Sequence, residues 1–229
     1  MLIDAIRSGD FGFLLCALPI LLLSLTVHEL CHGLMAYALG DDTAKSMGRL
    51  SLNPLKHIDP IGFIVMLVAG FGWAKPVQVD TRRMRKPKRD FALTAMAGPL
   101  SNFCMASLSA AVMLLLMYFS ELGPDSWVYE MLNYALAINV GLGVFNLLPI
   151  PPLDGSRLLG AFLPDRLYAK YLQLGRFGMF ILMALSMAGG FSNFLPRIIE
   201  FVVRTMWDIQ LKLLLLIDLC FYVIGGGVI

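Results

Sequence analysis

From about Phe11 to Leu39 the chain is almost entirely apolar, over a length that crosses a bilayer of about 30 Å. A backbone in hydrocarbon must satisfy its own amides and carbonyls, so this run is read as a helix. Two more blocks of the same kind follow, at about Phe91 to Phe119 and Trp127 to Leu148. Composition agrees: 58% of residues are hydrophobic and 15% charged, where a soluble domain has about half and about a quarter. Yet the first run contains "LTVHELCHGL", Leu25 to Leu34, with two histidines, a glutamate and a cysteine where lipid would want hydrocarbon.

The segments between the blocks orient the chain. "TRRMRKPKRD" holds Arg82, Arg83, Arg85, Lys86, Lys88 and Arg89 just before the second block. Basic residues beside a span anchor it on the cytoplasmic side, and this reading is preferred to a nucleic-acid patch. "SELGPDS" then lies outside and "DGSR…DRLYAK" inside. The first span runs inward, and its cytoplasmic half carries His28, Glu29 and His32. "MLIDAIRSGD" lacks a basic leader region and no small-residue cleavage site follows, so the first run is expected to be a retained helix with a kink at Pro19.

Between Gly48 and Asp80, "RLSL" and "KPVQVD" alternate weakly, and Ile61 to Trp73 is apolar but short for a span. A short membrane-associated β element with a dipping or interfacial segment is expected there. Pro149, Pro151 and Pro152 end the third span. A fourth span is expected over the apolar stretch from about Phe177 to Phe194. Beyond Ile198, Glu200, Arg204, Asp208 and Lys212 fall four apart on one helix face, and an interfacial amphipathic helix leading into a last apolar stretch is expected there. Cys16, Cys31, Cys104 and Cys220 each sit in apolar sequence without a Cys-x-x-Cys, and are read as small buried hydrophobes. The fold class is therefore an all-α multi-pass membrane protein. It has a core of three transmembrane helices, a short β element and additional C-terminal helices, in one domain over 1–229.

His28-Glu29-Leu30-Cys31-His32 puts two imidazoles four residues apart, on one helix face. That spacing suits one zinc ion, with the intervening glutamate placed as general base. The blander reading is a pair of buried histidines bonded within the bundle. Ionisable groups inside a span are costly and mark function, and two of the chain's three histidines are here, which favours metal. A catalytic zinc takes three protein ligands, and His57, Asp59 and Asp154 are candidates for the third. His57 and Asp59 lie in a polar connector. Asp154 follows the proline break, where its rival role is a helix cap. Topology brings it to the depth of the histidines.

With these features in view, the chain resembles the site-2 protease family of intramembrane zinc metalloproteases, in its compact prokaryotic branch. "HELCH" and "NLLPIPPLDG" carry the likeness, with "GRLSLNPLKHIDPIG", "GWAKPVQVD" and "MAGPLSN" in support, over roughly residues 20 to 160. The resemblance implies one zinc per chain held by His28, His32 and Asp154, with Glu29 activating water. It implies that Asn146 helps hold the substrate strand and that "GRLSL" and "WAKPVQV" present substrate in extended form. Gly98, Pro99 and Asn102 are expected to serve packing before chemistry, and Cys31 to pack rather than ligate. The catalytic core would cover about 11–163 and the C-terminal helices about 175–225. "SELGPDS" is too short to hold a PDZ domain, and neither a PDZ nor a CBS domain is expected.

The implied activity is zinc-dependent endopeptidase cleavage in or near a transmembrane segment of another membrane protein. The setting would be the bilayer (the inner membrane in a prokaryote), with the site toward the cytoplasm and no nucleic-acid partner. The rivals are a non-proteolytic zinc-binding transporter or a silent adaptor. A transporter should show paired, broken, inverted segments, which are not seen. An adaptor has no need of Glu29.

Overall fold

A computed structural model describes residues 11–69, 72–119 and 126–224. The N-terminal decapeptide and most of "SELGPDS" lie outside the described residues. The helices are α1 (Phe11–Ala38), α2 (Thr43–Ser46), α3 (Pro60–Ala69), α4 (Pro87–Phe119), α5 (Trp127–Asn146), α6 (Asp154–Gly160), α7 (Asp165–Gln173), α8 (Gly175–Met187) and α9 (Leu195–Ile224). Among the described residues, three are long and apolar enough to cross a membrane: α1, α4 and α5. These match the three expected spans. Helix α1 passes through Pro19 as one element.

α4 is the hub, packing against α1, α5 and α6. Its buried face is made of small residues, among them Ala92, Ala95, Ala97, Gly98, Ala106 and Ala110. In lipid, where burial against a neighbour gains little hydrophobic energy, such a face matters because it lets backbones approach and dispersion contacts accumulate. Gly143 of α5 does the same from the other side: a Cβ there would sit 2.8 Å from the Phe103 ring of α4.

The connector from α1 to α4 departs from a regular β element. Among the described residues it holds one antiparallel bridge, Ile58 with Ala74, followed by a segment without regular secondary structure to Asp80. Pro54, Pro60 and Pro76 remove ladder donors and fix φ, so pairing cannot extend. The stretch expected to dip into the membrane begins as α3, ten residues long.

The fourth apolar stretch is not a span. α8 covers 13 residues, and the chain turns at Gly189, where φ is +70° and a side chain would be strained. α9 then runs 30 residues without a break. Its apolar side, with Leu195, Ile199, Val203 and Trp207, packs on the Ala106, Ala110, Leu136, Val140 and Val144 cluster of α4 and α5. Three cysteines are less buried than expected: Cys16 and Cys31 are half-buried and Cys104 is exposed, while the side chain of Cys220 lies outside the described residues. In a membrane protein an apolar side chain is equally at ease on the outer, lipid-facing surface, so apolar surroundings in sequence do not imply a core position.

Candidate metal centre

His28 and His32 lie one turn apart on α1, facing α4. Their rings meet edge to face with centroids 4.6 Å apart. They fit because α4 presents Gly98 to them. A Cβ at that position would lie 2.4 Å from His32 Nε2 and 2.7 Å from His28 Cε1. No side chain larger than hydrogen leaves room for both rings. Pro99, next in α4, removes the amide that the Ala95 carbonyl would accept from. One residue earlier, the Thr94 carbonyl accepts from His32 Nδ1 at 2.7 Å.

A chain of amides fixes the state of His28. Asn139 donates through Nδ2 to the Ala135 carbonyl at 2.8 Å, so its Oδ1 faces Asn102. Asn102 donates through Nδ2 to that oxygen at 2.9 Å and turns its own Oδ1 to His28 Nδ1, 2.6 Å away. His28 therefore carries its proton on Nδ1. So does His32, whose Nδ1 faces a carbonyl that can only accept. Both Nε2 atoms are left with lone pairs pointing the same way.

Asp154 completes the group. Gly155 lets α6 start against the end of α5: a Cβ there would lie 2.1 Å from the Leu147 carbonyl oxygen. The proline turn before it is braced by α7 and α8. Tyr171 donates to the Pro149 carbonyl at 2.5 Å, and a Cβ on Gly178 would lie 2.0 Å from the Pro151 carbonyl oxygen. Asp154 falls inside the first turn of α6, after the cap position of Leu153, and caps nothing with its side chain. Its Oδ2 instead lies 3.1 Å from each Nε2, and the two Nε2 atoms are 3.0 Å apart. All three residues are buried. Arg157 Nη1 stands 3.7 Å from the other carboxylate oxygen, Oδ1.

Two imidazole lone pairs and a carboxylate oxygen in mutual contact repel one another. A divalent cation among them removes the conflict. The donor set, two neutral imidazoles and one carboxylate with partners orienting both rings, is one that zinc takes.

Other expected site residues fall as follows. Glu29 is half-buried, and its Oε2 accepts from the Val77 amide at 2.9 Å. His57 is buried and faces the Ser51 carbonyl through Nε2 at 2.8 Å. Asp59 caps α3, accepting from the Gly62 amide at 2.9 Å. Neither joins the cluster, and nor does Cys31. Asn146 bonds within α5, donating to the Leu142 carbonyl at 3.0 Å, outside the cluster. Asn102 and Gly98 do more than the general packing expected of them, since one orients His28 and the other makes room for both rings. Asn139 and the Thr94 carbonyl were not foreseen. The signal for Asn139 was an amide set among apolar residues in the middle of a span, which is costly unless it has a partner.

Known proteins show the same identity. The model of peptidase family M50 matches residues 122–189. The chain is 41% identical over 168 residues to YwhC of Bacillus subtilis (strain 168), covering 72% of this chain and 77% of that protein. It is 30% identical over 190 residues to Rip2 of Mycolicibacterium smegmatis, covering 80% of this chain and 71% of that protein. Both relatives carry a zinc-metalloprotease name. No solved structure matches the chain at a significant level. A zinc-type donor set between membrane-length helices, together with this kinship, leads to one conclusion: the chain is a zinc metalloprotease of peptidase family M50, the site-2 protease family.

Proposed function

We propose that this membrane metalloprotease is an intramembrane endopeptidase. It cuts a peptide bond in or near a transmembrane segment of another membrane protein, from a site toward the cytoplasmic side. The carrying observation is the depth of the donor cluster: His28 and His32 belong to a helix apolar enough to span a membrane. A protease whose site lies within its own spans meets substrates that share the bilayer.

His28, His32 and Asp154 would hold one zinc ion. When bound, zinc supplies Lewis acidity at the scissile carbonyl and lowers the pKa of water to about 7. Glu29, beside His28, takes the proton of the attacking water and returns it to the leaving amine. Lipid excludes water, so the site needs a polar path to the cytoplasm. A substrate helix hides its carbonyls in hydrogen bonds and must unwind locally before cleavage. The irregular segment before Asp80 and Asn146 at the end of α5 are the parts of the chain we assign to holding it. The basic run before α4 is read as a headgroup anchor. Arg82 pairs with Asp80, Arg83 with Asp42, Lys88 with Asp165 and Arg89 with Asp90, which leaves less charge for a nucleic acid than the sequence suggests. In a prokaryote the protein would sit in the inner membrane.

The test is cleavage of a transmembrane peptide by the full chain in lipid nanodiscs. Chelation should stop the reaction and added zinc restore it. Glu29→Gln should abolish cleavage while zinc stays near one per chain. Undiminished turnover by that variant would remove the assigned base.

A further inference from the structure

We propose that Arg49 is a positioning residue for hydrolysis: it holds the Lys75–Val77 backbone so that the Val77 amide fixes the Glu29 carboxylate. The inference rests on the reading of Glu29 as the base.

The connector between α1 and α4 has almost no ladder, so something else must hold it. Arg49 is buried, 7% exposed, and among the described residues no carboxylate pairs with it. Its Nη1 donates to the Lys56 carbonyl, and its Nη2 to the carbonyls of Lys75 at 2.5 Å and Pro76 at 3.4 Å. A buried guanidinium without an anion is costly. Here the rigid fork of donors is satisfied by carbonyls from two separate stretches of chain, which a lysine's single ammonium could not span in the same way. The bond from the Lys75 amide to the His57 carbonyl, 2.8 Å, runs alongside.

The far end of the segment is gripped as well. Asp41 is fully buried. Its Oδ2 accepts from the Asp80 amide at 2.7 Å, and its Oδ1 from the Thr43 amide at 3.0 Å. Val77 lies between the two grips and is buried. Its amide reaches Glu29 Oε2 at 2.9 Å. Gly33, one turn along α1, keeps that approach open: a Cβ there would already touch Val77 Cγ1 at 3.5 Å and lie 2.6 Å from Leu50 Cδ2. A glutamate has three side-chain torsions to lose before it can serve as a base. With Oε2 held by a backbone amide, Oε1 is presented in one place for water. The ligands His28, His32 and Asp154 are held by other groups, so this device sets the base and not the metal.

The test uses the full chain in nanodiscs, zinc-loaded, with dye-labelled casein as an extended-chain probe. Arg49→Gln and Val77→Pro should each lower kcat about 10- to 100-fold, as expected for a misplaced catalytic group. Zinc per chain should stay close to the parent value, and Arg49→Lys should recover part of the loss. Hydrogen exchange on fragments covering Ala74–Asp80, read without any substrate, should be slow at Val77 in the parent and fast in Arg49→Gln. Val77→Pro with parental kcat, an unprotected Val77 amide in the parent, or zinc lost in step with activity in Arg49→Gln would overturn the inference. If Arg49→Gln does not fold, Val77→Pro and the parent exchange rates decide. Glu29→Gln is assayed alongside. If it is active, the reading of Glu29 fails and the inference with it; if it is dead while Val77→Pro is active, the inference alone fails.

Discussion

The α1–α4–α6 junction and the α4–α5–α9 junction solve the same problem by opposite means. Both must hold helices together where lipid weakens the hydrophobic drive. At α9 the answer is an apolar stripe, Leu195, Ile199, Val203 and Trp207, laid on small residues. One polar stitch is added, from Gln210 to the Ser107 carbonyl at 2.6 Å. The charged face, with Glu200 and Arg204 paired at 2.6 Å, is left exposed. At the metal centre the answer is directional. His28, His32, Thr94, Asn102, Asn139 and Asp154 are all buried, and they form one connected set of contacts. Apolar packing tolerates changes of shape at a moderate cost. A buried polar network, by contrast, loses a partner's full desolvation cost when any member is removed. The difference predicts where the molecule is fragile.

The sharpest way to test that contrast is Gly98→Ala. Its Cβ would fall 2.4 Å from His32 Nε2, so the purified variant should carry no stoichiometric zinc by elemental analysis, although one methyl is all that is added. Asp154→Ala removes a donor without crowding the rings. Its zinc affinity should fall by more than the roughly 100-fold upper range seen when a ligand's own partner is lost. Full metal retention would return Asp154 to a structural part. Next comes Asn102→Ala, which frees His28 Nδ1 and strands Asn139. Competition with a chelator should show zinc binding weakened about 10- to 100-fold. At the other junction, Arg204→Ala breaks a pair whose side chains are 76% and 61% exposed. Its thermal midpoint should move by about 2 °C or less. A larger shift would place that face out of water, in lipid or beneath another chain, and would erase the contrast.

Particular residues show why the sequence went as far as it did. The spans were readable because hydropathy over 20 or more residues has few alternatives in a bilayer. His28 and His32 were readable because a four-residue spacing on a helix is local geometry. The fourth apolar stretch misled because apolar content does not reveal a break such as Gly189, where the chain takes a positive φ. Cys104 misled because lipid and core accept the same side chains. Asp154 was left open between ligand and cap, and its 126-residue separation from His28 is the reason. Arg49 passed unremarked because nothing local tells a buried arginine from a solvated one.

By itself the sequence determined that the chain crosses a membrane, that one span brings two imidazoles to a single face with a carboxylate beside them, and that prolines end the third span near an acid. These are properties of periodicity and solvent preference, which act over one or two turns. Only the tertiary structure decided that Asp154, rather than His57 or Asp59, meets the histidines, that Asn102 and Asn139 set the tautomer, and that Gly98 opens the space. Each of those depends on where separate helices cross. Helix crossing is set by the close fit of small residues, and no stretch of sequence contains both sides of that fit.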